Sequence, residues 1–206
     1  MTANGSAAEV CQEGAQIVDL EARTWLQKHC RGDEQAFTHL IEKYRKPVYG
    51  YLTKCGIDQS NRDDLFQEIF LKVHHAADTY QPNKPLSPWI FTIVVNTVRN
   101  HFRSEHNRKK VVSIQPEPGE LVSNVSPERN IANEQLLHWL EKEIHKLPLP
   151  QKEVILLTTI KGMRLHEVAQ TLGIPINTAK TCLRRARQKL IEKMTDESSS
   201  TNGEAS

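Results

Sequence analysis

The chain has 206 residues, 38% of them hydrophobic and 6% aromatic, with 27 basic and 25 acidic side chains and a formal net charge of +2. That length suits one or two small domains with real cores, and so few aromatic residues favour helices over β-sandwiches. Cys11, Cys30, Cys55 and Cys182 are widely spaced with no CxxC pair, so neither a disulfide framework nor a zinc site is signalled; no run approaches the roughly 18 apolar residues of a membrane span, the N-terminus has no apolar signal region, and a reducing, cytoplasmic setting fits.

Residues 1–18 are small and polar without periodicity and read as a disordered extension. From 19 to 110 the pattern is helical and predicts a first domain. Trp25, Leu26, Phe37, Leu40, Ile41, Tyr44, Val48 and Leu52 form two amphipathic stripes, interrupted at Arg31-Gly32-Asp33. Asp33 can cap the second helix, and Pro47 should kink it or mark a new start. Ser60 to Asp63 offers capping chemistry for a third helix, whose stripe is Leu65, Phe66, Ile69, Phe70 and Val73. The prolines of Gln81 to Pro88 make a loop, with Ser87 as the expected N-cap of a helix from Trp89 to about Arg108.

Residues 111–133 carry Gln-Pro-Glu-Pro-Gly-Glu and Val-Ser-Pro-Glu, which is linker composition. A second helical domain is predicted over 134–194, with a restart after Leu147-Pro-Leu-Pro150. Within it Leu165, Val168, Ala169 and Leu172 share one face, Gly173 can end that helix at positive φ, and Asn177 is the expected cap of the next. Ala179, Leu183, Ala186 and Leu190 make the inner stripe of this last helix, and Thr181, Arg184, Arg185 and Gln188 its polar side. Two short helices with a tight turn between them and a basic second member have the form of a DNA-reading helix-turn-helix. Residues 195–206 can bury nothing and read as a disordered tail. No strand signal is present, so the expected fold is all-α with two domains.

The charge is segregated. Arg99, Arg103, Arg108, Lys109 and Lys110 crowd one stretch and Lys180, Arg184, Arg185, Arg187, Lys189 and Lys193 another, which implies a polyanion touched at two places. Asn96, Arg99, Asn100 and Arg103 recur at i, i+3, i+4 and i+7, where amides can meet base edges and guanidiniums hold phosphates. Asp64, Gln67, Glu68 and Leu71 make a different face, acidic and amide groups around one leucine, which suits a protein partner. A metal site from Asp63, Asp64, Glu68, His74 and His75 would suit a nuclease, but i, i+4 carboxylates are commonplace and no second ligand group matches them. A one-component helix-turn-helix repressor is the other alternative, and it leaves the acidic face and the Asn/Arg stripe idle.

The segments DDLFQEIFLKV, PWIFTIVVNTVRNHFR and LPLPQKEVILLTTIKGMRLHEVAQTLGIPINTAKTCLRRARQKL, in that order and spacing, resemble the two domains of bacterial extracytoplasmic-function (ECF) sigma factors of the sigma-70 family, over about Glu34 to Lys193. The resemblance implies a transcription initiation factor without a catalytic centre, cofactor or metal. It would bind core RNA polymerase at the β′ clamp helices and β flap, with Asp64, Gln67, Glu68 and Phe70 on the clamp helices. Asn96, Arg99, Asn100 and Arg103 would serve the −10 element, and the loop Tyr80 to Ser87 would hold a flipped base. The helix-turn-helix would read the −35 element with Asn177, Lys180, Thr181, Arg184 and Arg187. An anti-sigma partner is implied as well. Two departures stand out: Cys182 occupies a position where many members carry Arg, and the residues before about Asp19 have no counterpart.

Overall fold

The computed structural model describes residues 19–111, 131–160 and 162–201. The expected extension over 1–18, most of the linker and the end of the tail lie outside these residues. All regular elements described are helical: α1 (residues 19–30), α2 (Glu34–Cys55), α3 (Gln59–Ala76), a 3-10 turn at Ala77–Thr79, α4 (Leu86–Val111), α5 (Ile131–Lys146), α6 (Leu149–Ile160), α7 (Leu165–Leu172) and α8 (Ile176–Thr201).

Helices α1 to α4 build the first unit. Leu40, Tyr44, Val48, Tyr51 and Leu52 of α2 are buried, as are Ile90, Phe91, Val94, Val95 and Val98 of α4. Each stripe recurs every three or four residues, so one side of each helix is removed from water, at about 1.5–3 kcal/mol per large side chain. Asp33 caps α2 as expected, its carboxylate accepting from the Ala36 N–H at 3.1 Å. Pro47 does not interrupt α2. The α3 cap is Asp58, not a residue of Ser60 to Asp63, because the helix already begins at Gln59.

The start of α4 also differs from expectation. The helix begins at Leu86, so Ser87 lies inside it and cannot be its N-cap. Asp19 of α1 supplies the acceptor: its carboxylate takes the Leu86 and Ser87 N–H groups, each at 3.2 Å, and is itself held by Arg23 at 2.6 Å. An anionic side chain meets the orphan donors and the positive end of the helix dipole, which is what a local cap would have done. Ser87 Oγ bonds instead to the Tyr44 hydroxyl, 2.9 Å away.

Helices α5 to α8 form the second unit around Val154, Leu156, Leu157, Val168, Leu172, Ala179 and Ala186. Gly173 adopts the left-handed conformation (φ 65°, ψ 35°), and its N–H and that of Ile174 close α7 onto Gln170 and Ala169. An L side chain there would be strained, so the turn needs glycine. Asn177 lies one residue inside α8, which begins at Ile176 after Pro175, and is therefore not the cap expected of it. The helix continues to Thr201, beyond the Met194 at which the sequence pattern ends. The two units touch: α2 packs on α5 and α6, and α4 packs on α7.

Candidate polymerase and nucleic-acid interfaces

The acidic face of α3 stands as the residue spacing anticipates. Asp64, Gln67 and Glu68 are exposed, and Leu71 keeps 59% of its surface in water. Glu68 pairs with Lys72 one turn on, at 2.6 Å, whereas Asp64 and Gln67 bond to no described residue. Phe70 belongs to the inner side: it is 4% exposed and packs with Phe66, ring centroids 4.7 Å apart, and with Phe37. Its part in any docking is to seat the helix, since a partner cannot reach it. Asp63 accepts from the Tyr49 hydroxyl, and His74 bonds to His29 at 2.8 Å. Those two members of the notional metal cluster thus have protein partners, and among the described residues no group of three or more His, Cys, Asp or Glu is placed to hold a metal ion.

On α4, Asn96, Asn100 and Arg103 are exposed and bond to no described residue. Asn96 lines a groove between α3 and α4 with Lys72, His75, Thr79, Ile93 and Thr97, of about 540 Å3. Arg99 departs from this stripe. Its guanidinium forks onto Glu153 of α6 at 2.7 and 2.8 Å and donates to the Leu172 carbonyl at 3.2 Å. Glu153 is 1% exposed, and its carboxylate holds the Arg99 guanidinium more basic than usual. Arg108, Lys109 and Lys110 lie where only the backbone of α4 is described.

The loop before α4 is braced from within: Lys84 N–H donates to the Gln81 carbonyl, the Tyr80 hydroxyl to the Lys84 carbonyl, and the Tyr80 and Trp89 rings lie 5.3 Å apart. Beside it is a cavity of about 540 Å3 lined by Tyr80, Lys84 and Trp89, and across from them by His166, Glu167 and Gln170 of α7.

In the helix-turn-helix, Glu167 accepts from the Arg164 N–H at 2.8 Å and so fixes the first turn of α7. Ala179 and Ala186 are fully buried and Leu183 and Leu190 pack against the core, the stripe expected from the sequence. The opposite side presents Asn177, Lys180, Arg184 and Arg187 to solvent. Thr181 is half-buried, and its hydroxyl donates to the Asn177 carbonyl at 2.9 Å, which occupies the one donor it has. Cys182 is half-buried against the core, so the missing arginine does not fall on the outward face. No helix among the described residues is long and apolar enough to cross a membrane.

Comparison with known proteins joins these surfaces. Residues 40–108 match the family pattern for sigma-70 region 2, and residues 137–190 that for sigma-70 region 4. The chain is 30% identical over 162 residues to RNA polymerase sigma factor NccH of Alcaligenes xylosoxydans xylosoxydans, an alignment covering 78% of this chain and 87% of the relative. It is 26% identical over 171 residues to the ECF RNA polymerase sigma-E factor of Escherichia coli K12, covering 80% and 89%. The chain is an ECF RNA polymerase sigma factor. Its function is therefore to bind core RNA polymerase and direct promoter recognition and transcription initiation, and the helix-turn-helix repressor alternative loses its footing. Among solved structures, the sigma factor resembles CnrH in complex with the cytosolic domain of CnrY, with a TM-score of 0.64, 25% identity, and coverage of 85% of this chain and 98% of that one.

Proposed function

We propose that this sigma factor, acting in the cytoplasm, docks on the polymerase clamp through Asp64, Gln67 and Glu68 of α3, with Phe70 seating the helix. It captures the opened −10 strand with Asn96, Asn100 and Arg103, joined by Arg99 once that side chain leaves Glu153. It reads the −35 duplex through Asn177, Lys180, Arg184 and Arg187, with Thr181 shaping the same face. Strand opening needs no chemistry: captured unstacked bases offset the few kcal/mol that each lost stacking step costs. A signal-responsive promoter class and an anti-sigma partner spanning both units complete the reading, as the CnrH relative is found bound to the cytosolic domain of CnrY.

The observation that carries this reading is the separation of surfaces by chemistry: an acidic face on α3 and basic or amide faces on α4 and α8, all exposed on helices whose other sides are buried. Its test is transcription by purified core polymerase on sheared genomic DNA, with start sites mapped by sequencing. The wild-type protein should give discrete starts. The pair Asp64→Lys and Glu68→Lys should abolish both these and co-purification with core polymerase, at unchanged helicity and melting temperature. Unaltered polymerase binding by that variant removes the docking assignment, and tight promoter binding without polymerase would revive the repressor.

A further inference from the structure

The groove between α3 and α4 is walled from one side by Lys72, His75 and Thr79 and from the other by Ile93, Asn96 and Thr97. Its volume of about 540 Å3 falls within the range of about 300–1,000 Å3 usual for small-ligand sites. Lys72 is the cation of that wall. Its ammonium donates to the Thr97 hydroxyl at 3.1 Å, crossing from α3 to α4, and to Glu68 one turn back at 2.6 Å. Thr97 is 1% exposed, so its oxygen holds the amine at the groove and not out in solvent. A pair with Glu68 needs no second helix, whereas the bond to Thr97 sets the amine against the residue next to Asn96.

We infer that this groove is a nucleotide subsite for the opened −10 strand, and that Lys72, on the helix proposed to dock the polymerase, holds the phosphate of the nucleotide whose base edge Asn96 meets. The inference rests on the reading of α4 as the −10 surface and adds to it a residue from α3. The chemistry of the groove fits this occupant. An ammonium beside the Asn96 amide, which bonds to no described residue, matches the phosphate and the base edge of one nucleotide. Ile93 supplies an apolar wall, and the exposed His75 ring can take the face of a base. A paired base cannot enter a groove between two helices, so the subsite selects strand that has left the duplex.

Glu68 does not block this role. The pair leaves 42% of the Lys72 side chain and 50% of that of Glu68 exposed, and exposed pairs of this kind hold weakly and exchange partners readily. A lysine ammonium has three N–H groups, so Lys72 can keep Thr97 while trading the Glu68 carboxylate for a phosphate oxygen of the same charge. Glu68 is then free for the surface proposed to meet the clamp. An ammonium is a compact charge without base preference, so Lys72 contributes affinity and salt response while base identity stays with Asn96.

The test uses holoenzyme made from the full chain and core polymerase, with a promoter fragment taken from one of the mapped starts and pre-melted over −10. Affinity is measured across a series of salt concentrations. Lys72→Gln, which keeps an N–H for Thr97, should bind several-fold more weakly, and the slope of log affinity against log salt should fall by about 0.7, as for one phosphate of a single strand. Lys72→Arg should keep affinity and slope near those of the wild type. Core polymerase affinity and melting temperature should stay close to wild type in both. A merely structural contact would lower the melting temperature and leave the slope unmoved. An unmoved slope in Lys72→Gln, or lost polymerase affinity, overturns the subsite. Asn96→Ala with Asn100→Ala separates the two readings: if that pair weakens binding while Lys72→Gln does not, the subsite alone fails, and if neither weakens it, the −10 reading of α4 fails as well.

Discussion

If the proposed faces of α4 and α8 meet DNA, the two units present their polar groups to it in opposite ways. In the first, the groups on offer are mainly the short amides of Asn96 and Asn100, on a helix whose inner side is wholly buried and whose start is fastened by Asp19. In the second, Lys180, Arg184 and Arg187 project on long side chains from α8, whose inner stripe is largely alanine and half-buried leucine. Short amides need a rigid support because they reach little beyond the backbone, and they suit base edges that have left the stack. Long cations find phosphates and duplex edges without such support. The first unit should thus respond to changes in the strand it captures, and the second to salt.

The largest effect that would sharpen this contrast comes from Asn96→Ala with Asn100→Ala. Opening should collapse, seen as lost permanganate reactivity of thymines near −10 in the polymerase complex, while duplex −35 binding stays unchanged. A promoter with a pre-melted −10 bubble should recover part of the activity, since the cost of opening is then already met. Wild-type opening by the double variant would erase the distinction between the units.

A smaller effect is expected from Arg187→Ala. Promoter affinity should weaken on every sequence alike, and the slope of log affinity against log salt should fall by about 1 if the side chain neutralises one phosphate. An unchanged slope means that Arg187 does not meet the backbone.

The smallest effect concerns the seam between the units. Burial, then the charge of Lys152, keeps the His145 imidazole less basic than the usual 6.5. His145 packs on Gly56 of the first unit, so the packed units favour its neutral form and separated units bind the proton more readily. The packing between the units is fully favoured above about pH 6.5 and weakens as pH falls below it. Between about pH 7.5 and about 5.5 the radius of gyration from small-angle scattering should rise, with at most a few-fold shift toward separated units. His145→Ala should flatten that response; a response that survives the substitution places the titrating group elsewhere.

Most helices were legible because each is amphipathic, and the helix-turn-helix because Gly173, the apolar stripe of α7 and the charges of α8 fall at fixed offsets. The acidic face of α3 was legible for the same reason. Periodicity does not say what covers a face, however. Arg99 shares its spacing with Asn96, Asn100 and Arg103, yet its partner is Glu153, 54 residues away. One signal was present: Glu153 is an acid leading directly into the apolar run Val154 to Leu157, where a carboxylate on the buried side requires a cation. Phe70 sits within the motif attributed to polymerase docking, but its i, i+4 relation to Phe66 assigns it to the core. The cap of α4 had no local signal, because Asp19 is 67 residues from Leu86.

That distant cap has a consequence for the order in which the protein comes into being. Asp19 leaves the ribosome well before the residues it fastens, so when Leu86 and Ser87 emerge their acceptor is already waiting, and α4 can set as it is made. At roughly 5–20 residues per second, the chain from Val111 to Glu153 takes a few seconds more. During that interval the first unit stands complete with nothing against Arg99, and every newly made molecule passes through an uncovered state before its second half exists.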